Sequence, residues 1–204
     1  MAKGIDNSEK AILGSATVHK TSAFGVDDDK WYIALCKSTR ERTIRDQLLK
    51  ANYQAYIASQ VETHVYKSRN RRQVETVVIP AKIFIRTKES ELVNILYNFS
   101  SIYKFMLNPA GIPNEYGGKP YATVSDAEMQ RLQYILNNAE KPVLFTEEPL
   151  HLGERVKVVR GSLSGLEGNY IYRKNTIYIA LELVLGTKTL AVLDVPLSDI
   201  QHIP

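Results

Sequence analysis

Residues 31–50 read WYIALCKSTRERTIRDQLLK, and the change of pattern inside this stretch decides the fold. The first six residues are apolar almost throughout and rich in β-formers, which suits a central strand covered on at least one face. Ser38 and Glu41 then stand at capping-box spacing, with Ile44 and Leu48 four residues apart on one face and Arg40, Arg42, Arg45 and Lys50 at polar positions. A buried strand leads directly into an amphipathic, basic helix. The fold class expected from this start is α+β.

Downstream, YIAS and VETHVY lead into KSRNRRQ, followed by VETVVIP and KIFIR. Strands on both sides of a loop crowded with Lys67, Arg69, Arg71 and Arg72 predict a long hairpin with a basic tip. Thr87 is placed to cap a helix carrying Leu92, Ile95, Leu96 and Phe99 at helical spacing. IYKFML reads as another strand. After the turn-rich NPAGIPNEYGGKP, Ser125 and Glu128 form a second capping box ahead of Met129, Leu132, Ile135 and Leu136. These elements predict an α+β domain over residues 30–138. NNAEKPVLFTEEPLH, with Pro142 and Pro149, reads as a linker over 139–150. Beyond it RVKVVR, LEGNYIY, TIYIALELVL and TLAVLDV are strand signals with no helical period between them, so 151–204 predicts a small all-β barrel. Residues 1–29 lack sustained periodicity and read as a flexible leader.

The chain has 204 residues, 44% hydrophobic and 24% charged, a mixture that supports a packed core and excludes global disorder. One cysteine, Cys36, excludes an internal disulfide, and His19, His64, His151 and His202 lack metal-ligand spacing. No apolar run approaches a signal peptide or a membrane span, so a cytoplasmic protein without membrane partners is expected. The net charge of +4 is unevenly spread: residues 30–86 carry twelve basic side chains against four acidic. Such a segment can attract phosphate backbones; a solvated Arg-rich surface is the plainer alternative.

No constellation carries catalysis. The glycines of GSLSGLEG (161–168) lead into a strand without the Lys-Ser/Thr pair and helix of a phosphate loop, so tight turns explain them. Cys36 lies mid-strand and reads as an inert packed thiol. Glu147 and Glu148 fall in the linker, where no pocket would desolvate them. No cofactor or metal is expected. In VVIPAKIFIR (77–86), Lys82, Phe84 and Arg86 alternate with Ile83 and Ile85. If the isoleucine face is core, Phe84 is left exposed between cations, which would mark a docking surface.

The WY-initiated strand, the basic helix, the hairpin ending in IPAKIFIR, the approach KPYATVSDAEM and the terminal LGERVKVVRGSLSGLEGNY together resemble the NusG family of transcription elongation factors. The resemblance implies an N-terminal NGN-type antiparallel sheet with helices, followed by an SH3-like KOW barrel whose motif would comprise Gly153, Val156, Val158, Gly161, Gly165 and Gly168. It implies RNA polymerase as partner, bound at the clamp through Trp31, Tyr32, Ile79, Pro80, Lys82 and Phe84. Arg40, Arg42, Lys67, Arg69, Arg71 and Arg72 would face nucleic acid in the elongation complex. Leu185 would be the barrel's contact with termination factor Rho or a small-subunit ribosomal protein. Where housekeeping members read Pro-Gly-Tyr, this chain has Pro80, Ala81 and Lys82, which looks more like the specialised UpxY-type antiterminators of long polysaccharide operons. The alternative is an RNA-binding or ribosome-associated KOW protein acting on RNA directly.

Overall fold

The structure, a computed structural model, describes residues 28–65, 71–148, 150–173 and 176–203. The leader up to residue 27, and Lys67 and Arg69 at the expected hairpin tip, lie outside the described residues.

The apolar run forms β1 (Lys30–Cys36), the most heavily paired strand of the N-terminal sheet. β2 (Gln54–Tyr56), β5 (Lys82–Thr87), β1 and β6 (Ile102–Phe105) lie side by side in that order, and the short β7 (Thr123–Val124) also pairs with β1. Between β2 and β5 in sequence, β3 (Ser59–Val65) and β4 (Arg71–Val77) form a separate antiparallel hairpin, as the alternating runs predict. Antiparallel register sets Trp31 opposite Arg86, Ile33 opposite Phe84 and Leu35 opposite Lys82. Alternation then divides the sheet into two faces. On one, Tyr32, Ala34, Ile83 and Ile85 pack beneath α1 (Glu41–Lys50), through Ile44 and Leu48, and α2 (Leu92–Asn98), through Leu92 and Ile95.

Two caps differ from expectation. The N-cap of α1 is Arg40, without a side-chain cap bond, and Glu41 turns away from the helix end to accept from the Ala81 N–H at 2.8 Å. Thr87 is the buried last residue of β5, and a 3-10 turn at Glu89–Glu91 opens the second helix in place of a capped α turn. Of the second capping box, the Ser125 half forms, while the Glu128 carboxylate accepts from the Val184 N–H. Ser125 accepts from the Glu128 N–H at 3.2 Å, and α3 (Asp126–Asn138) buries Met129, Leu132, Ile135 and Leu136.

The remainder is a six-stranded antiparallel sheet. Its order is β13 (Ile200–His202), β9 (Arg155–Val158), β10 (Glu167–Arg173), β11 (Thr176–Leu185), β12 (Thr187–Leu193), β8 (Leu144–Thr146). The first of these in sequence, β8, comes from the stretch read as linker: Val143 is buried and Leu144–Thr146 pair with Leu190–Val192. Gly161 and Gly165 hold φ of 81° and 94° in the turn after β9, the conformation that favours glycine there. Gly168 sits where a Cβ would lie 2.6 Å from the Ala180 carbonyl, and Gly153 where it would strike the Tyr170 ring. Val156 and Val158 are buried.

Among the described residues no helix is long and apolar enough to cross a membrane, and no group of His, Cys, Asp and Glu is placed to hold a metal ion.

Candidate docking surface

The second face of the N-terminal sheet is built in rows. Tyr56, Phe84 and Ile33 stand side by side on β2, β5 and β1, and the Met106 N–H donates to the Ile33 carbonyl at 2.8 Å, which extends the apolar row. On one side of this row Lys82, Leu35 and Lys104 lie across three strands; on the other stand Arg86, Trp31 and Val124. An oily row bordered by cations is the pattern that the alternation in KIFIR suggests.

The row is not open to water. Phe84 and Ile33 are 0% exposed. This corrects the expectation of an exposed phenylalanine. The isoleucine face is core, but so is its opposite, because α3 and the C-terminal sheet cover it. Ile33, Ile79 and Phe84 share one apolar cluster with Met129, Leu132 and Ile135 of α3 and with Leu181, Leu183 and Leu185 of β11. The turn between β11 and β12 comes close to the row. Gly186 there has φ 77°, and a Cβ on it would lie 2.5 Å from Ile33 Cδ1 and 3.1 Å from Met106 Sδ. A side chain there would have to push these groups aside from a left-handed backbone, which favours glycine.

The rim of this contact is polar. Lys82 Nζ meets Glu147 Oε1 at 2.7 Å, and that hydrogen bond, with the lysine charge, holds the Glu147 carboxyl below its ordinary range. Glu128 accepts from the Val184 N–H at 3.2 Å, Arg131 donates to the Glu167 carbonyl at 3.2 Å, and the Tyr134 hydroxyl donates to the Ser162 carbonyl at 3.1 Å. A cleft of about 240 Å³ remains at the seam, with Ile79, Pro80 and Lys82 on one wall and Phe145, Glu147 and Leu185 on the other.

The structure thus brings together Ile79, Pro80, Lys82, Phe84 and Leu185, although Leu185 was expected to meet a different partner. Trp31 borders the same face, its Nε1 donating to Asp126 Oδ1 at 2.9 Å. Tyr32 does not join them; it is 1% exposed on the helix-covered face. Of the basic residues, Arg40 is exposed, while Arg42 and Arg45 of α1 pair with Glu75 of β4 at 3.2 and 3.0 Å. Glu75, hydrogen-bonded by Ser59 and flanked by these arginines, is held below the usual carboxylate range. Arg72 is exposed on β4 opposite His64, and Arg71 pairs with Val65 in the backbone ladder. Cys36 is buried beside Glu41, and burial followed by that carboxylate raises its thiol to about 11, which suits an inert packed residue.

Sequence reasoning missed Ile33, Met106, Glu147 and Gly186. Ile33 was within reach, since it alternates with Trp31 and Leu35; the others depend on contacts between distant parts of the chain.

The N-terminal sheet is thus closed by two helices on one face and by α3 and the C-terminal sheet on the other. The family model described as "Transcription termination factor nusG" matches residues 29–133, so the chain belongs to the NusG family of transcription factors. Comparison with curated proteins finds no match. Among solved structures, "Domain interaction in Thermotoga maritima NusG" aligns with TM-score 0.44 and 18% identity over 88% of this chain and 100% of that one. "Crystal Structure of MjSpt4:Spt5 complex conformation A" aligns with TM-score 0.27 and 11% identity over 85% and 97%.

Proposed function

We propose that the chain is a non-catalytic elongation and antitermination factor that docks on the clamp region of bacterial RNA polymerase and suppresses pausing or termination. Residues 30–138 are the polymerase-binding domain and 151–204 an SH3-like KOW domain. The observation that carries this reading is the apolar row Tyr56–Phe84–Ile33–Met106 between its cation borders. The row is covered by a unit whose rim is held by polar contacts, several of them half exposed. Once uncovered, such a face offers an aromatic with flanking charges, the usual make-up of an interface hot spot. Docking then requires the C-terminal unit to leave the row. Because Leu185 lies in the same seam, its own partner, Rho or a ribosomal protein, also meets it only in the open form. In the open form the exposed Arg40 and Arg72 are directed to nucleic acid.

The replacement of the family's Gly-Tyr by Ala81 and Lys82 supports the specialised UpxY-type reading and service on long polysaccharide operons. Lys82 forms an ion pair with Glu147 in the closed form, which a neutral tyrosine could not do.

The test is a purified transcription assay on a paused template. The protein shortens the pause, and Phe84→Ala, checked for retained fold, weakens polymerase binding by about 2 kcal/mol or more. Lys82→Glu, at a half-buried position, serves as a second variant that spares the core. No change in pause lifetime with the wild-type chain overturns the reading, and tight RNA binding without polymerase would favour the direct RNA-binding alternative.

A further inference from the structure

Among the described residues, the buried carboxylate of Glu41 makes no helix-cap bond and no ion pair. Glu41 is the first residue of α1 and is 3% exposed. Its Oε1 accepts from the Ala81 N–H at 2.8 Å, while the Ala81 carbonyl accepts from the Cys36 N–H at 3.0 Å. Both peptide units that flank the Ala81 Cα are thereby fixed. It needs fixing, because its φ is +60°, in the left-handed region that an alanine enters only against its Cβ sterics. Thr39, two residues before Glu41, has φ +72°, so the turn that delivers the carboxylate is itself held in an unusual conformation. Glu41 and Pro80 border one groove of about 410 Å³ with Ser38, Thr39 and Arg42.

Ala81 stands between Pro80 and Lys82, two residues of the proposed docking edge, and β5 with Phe84 starts immediately after it. Backbone strain of this kind persists only when the surroundings over-determine it, and it gathers at functional sites. A charge-assisted bond from a carboxylate shielded from water is a strong way to impose it.

We propose that Glu41 is a positioning residue for docking: it holds Ala81 left-handed, so that Pro80 and Lys82 are presented in the geometry the polymerase meets. This rests on the docking reading above. The work that glycine's freedom would do at position 81 is done here by a side chain forty residues away. Removing the carboxylate lets Ala81 relax toward negative φ, which turns the Pro80–Lys82 edge and leaves the rest of the sheet in place. In a glycine background the same removal matters far less, since the left-handed conformation is then open without help.

The experiment compares full-length wild type, Glu41→Gln, Glu41→Ala, Ala81→Gly and the Glu41→Ala/Ala81→Gly double variant. It reads amide exchange at residue 81, thermal unfolding, and affinity for purified core RNA polymerase. Glu41→Ala is expected to lose protection at the residue 81 amide and to bind polymerase about tenfold more weakly, in proportion to the conformational preference removed. Glu41→Gln, whose carbonyl accepts the same bond, stays within about threefold of wild type, and so does the double variant relative to Ala81→Gly alone. A role confined to stability would lower the unfolding temperature equally in both backgrounds and leave affinity unchanged; that result overturns the proposal, as does equal loss of affinity with alanine and with glycine at 81. If Glu41→Ala does not fold, Glu41→Asp, one methylene short of Ala81, takes its place. Failure of wild type itself to bind polymerase overturns the docking reading, and retained protection of the residue 81 amide in Glu41→Ala overturns the positioning role, so the two failures are separately visible.

Discussion

The two faces of β5 are equally dry but differently closed. Ile83 and Ile85 lie under α1 and α2, helices joined to the sheet by short connections and packed through Ile44, Leu48, Leu92 and Ile95. Phe84, between them in sequence, is closed by α3 and by a unit that begins some sixty residues later, through a glycine turn and a polar rim. Burial therefore has two meanings in one strand. On the isoleucine face it is the condition for the domain to fold, whereas on the phenylalanine face it includes a cover that separate forces hold in place.

Variants on the two faces should separate these meanings, the first with the largest effect. Ile85→Ala leaves a cavity among fully buried neighbours and should cost about 2–5 kcal/mol of stability, read by denaturant unfolding of the whole chain. Gly186→Leu forces a side chain against Ile33 and Met106 in a turn with positive φ; overpacking of about 1–3 kcal/mol falls on the contact between the units, with added backbone strain in the β11–β12 turn itself. Its signature is new dye-accessible apolar surface and loss of the environment of Trp31 while secondary structure is retained. A global loss of structure in Gly186→Leu would make the two faces equivalent and remove the distinction. Ala81→Gly relieves left-handed strain and should raise stability by about 0.5–1 kcal/mol after allowing for the more flexible unfolded chain.

The smallest effect belongs to the rim. Glu147 is about half exposed, so its pair with Lys82 contributes less than about 1 kcal/mol to closure after screening. Its carboxyl is held below the ordinary 4.5 in the closed form. This contribution is thus complete above that value and fades as pH falls through the depressed one. Glu147→Gln should flatten the acid-side dependence of closure, followed by Trp31 fluorescence, and leave the isoleucine face untouched.

Much of this arrangement was legible before any coordinates. The strand–helix switch at residues 36–41, the alternation in KIFIR, the Ser125 cap and the buried face of α3 are local patterns with one dominant physical reading. Where local chemistry had competing uses, the sequence was ambiguous. Glu41 satisfies a capping-box spacing, yet its carboxylate is placed where the Ala81 N–H needs a partner. Thr87 is a good cap residue, but the strand continues through it. Pro142 marks a break, and the chain still adds Leu144–Thr146 to the C-terminal sheet. The closure over Phe84 was not legible at all. Periodicity tells which residues share a face, and it is silent on what a distant turn such as Leu185–Gly186 will bring to that face.

Under the function proposed above, the Phe84 row is a docking surface hidden by a removable cover. That role is tested most directly by measuring the affinity of purified bacterial core RNA polymerase for three full-length proteins: wild type, Gly186→Leu, and Gly186→Leu combined with Phe84→Ala. Gly186→Leu is expected to bind more tightly than wild type, and the added Phe84→Ala to abolish the gain. Equal affinity for all three proteins would contradict that role.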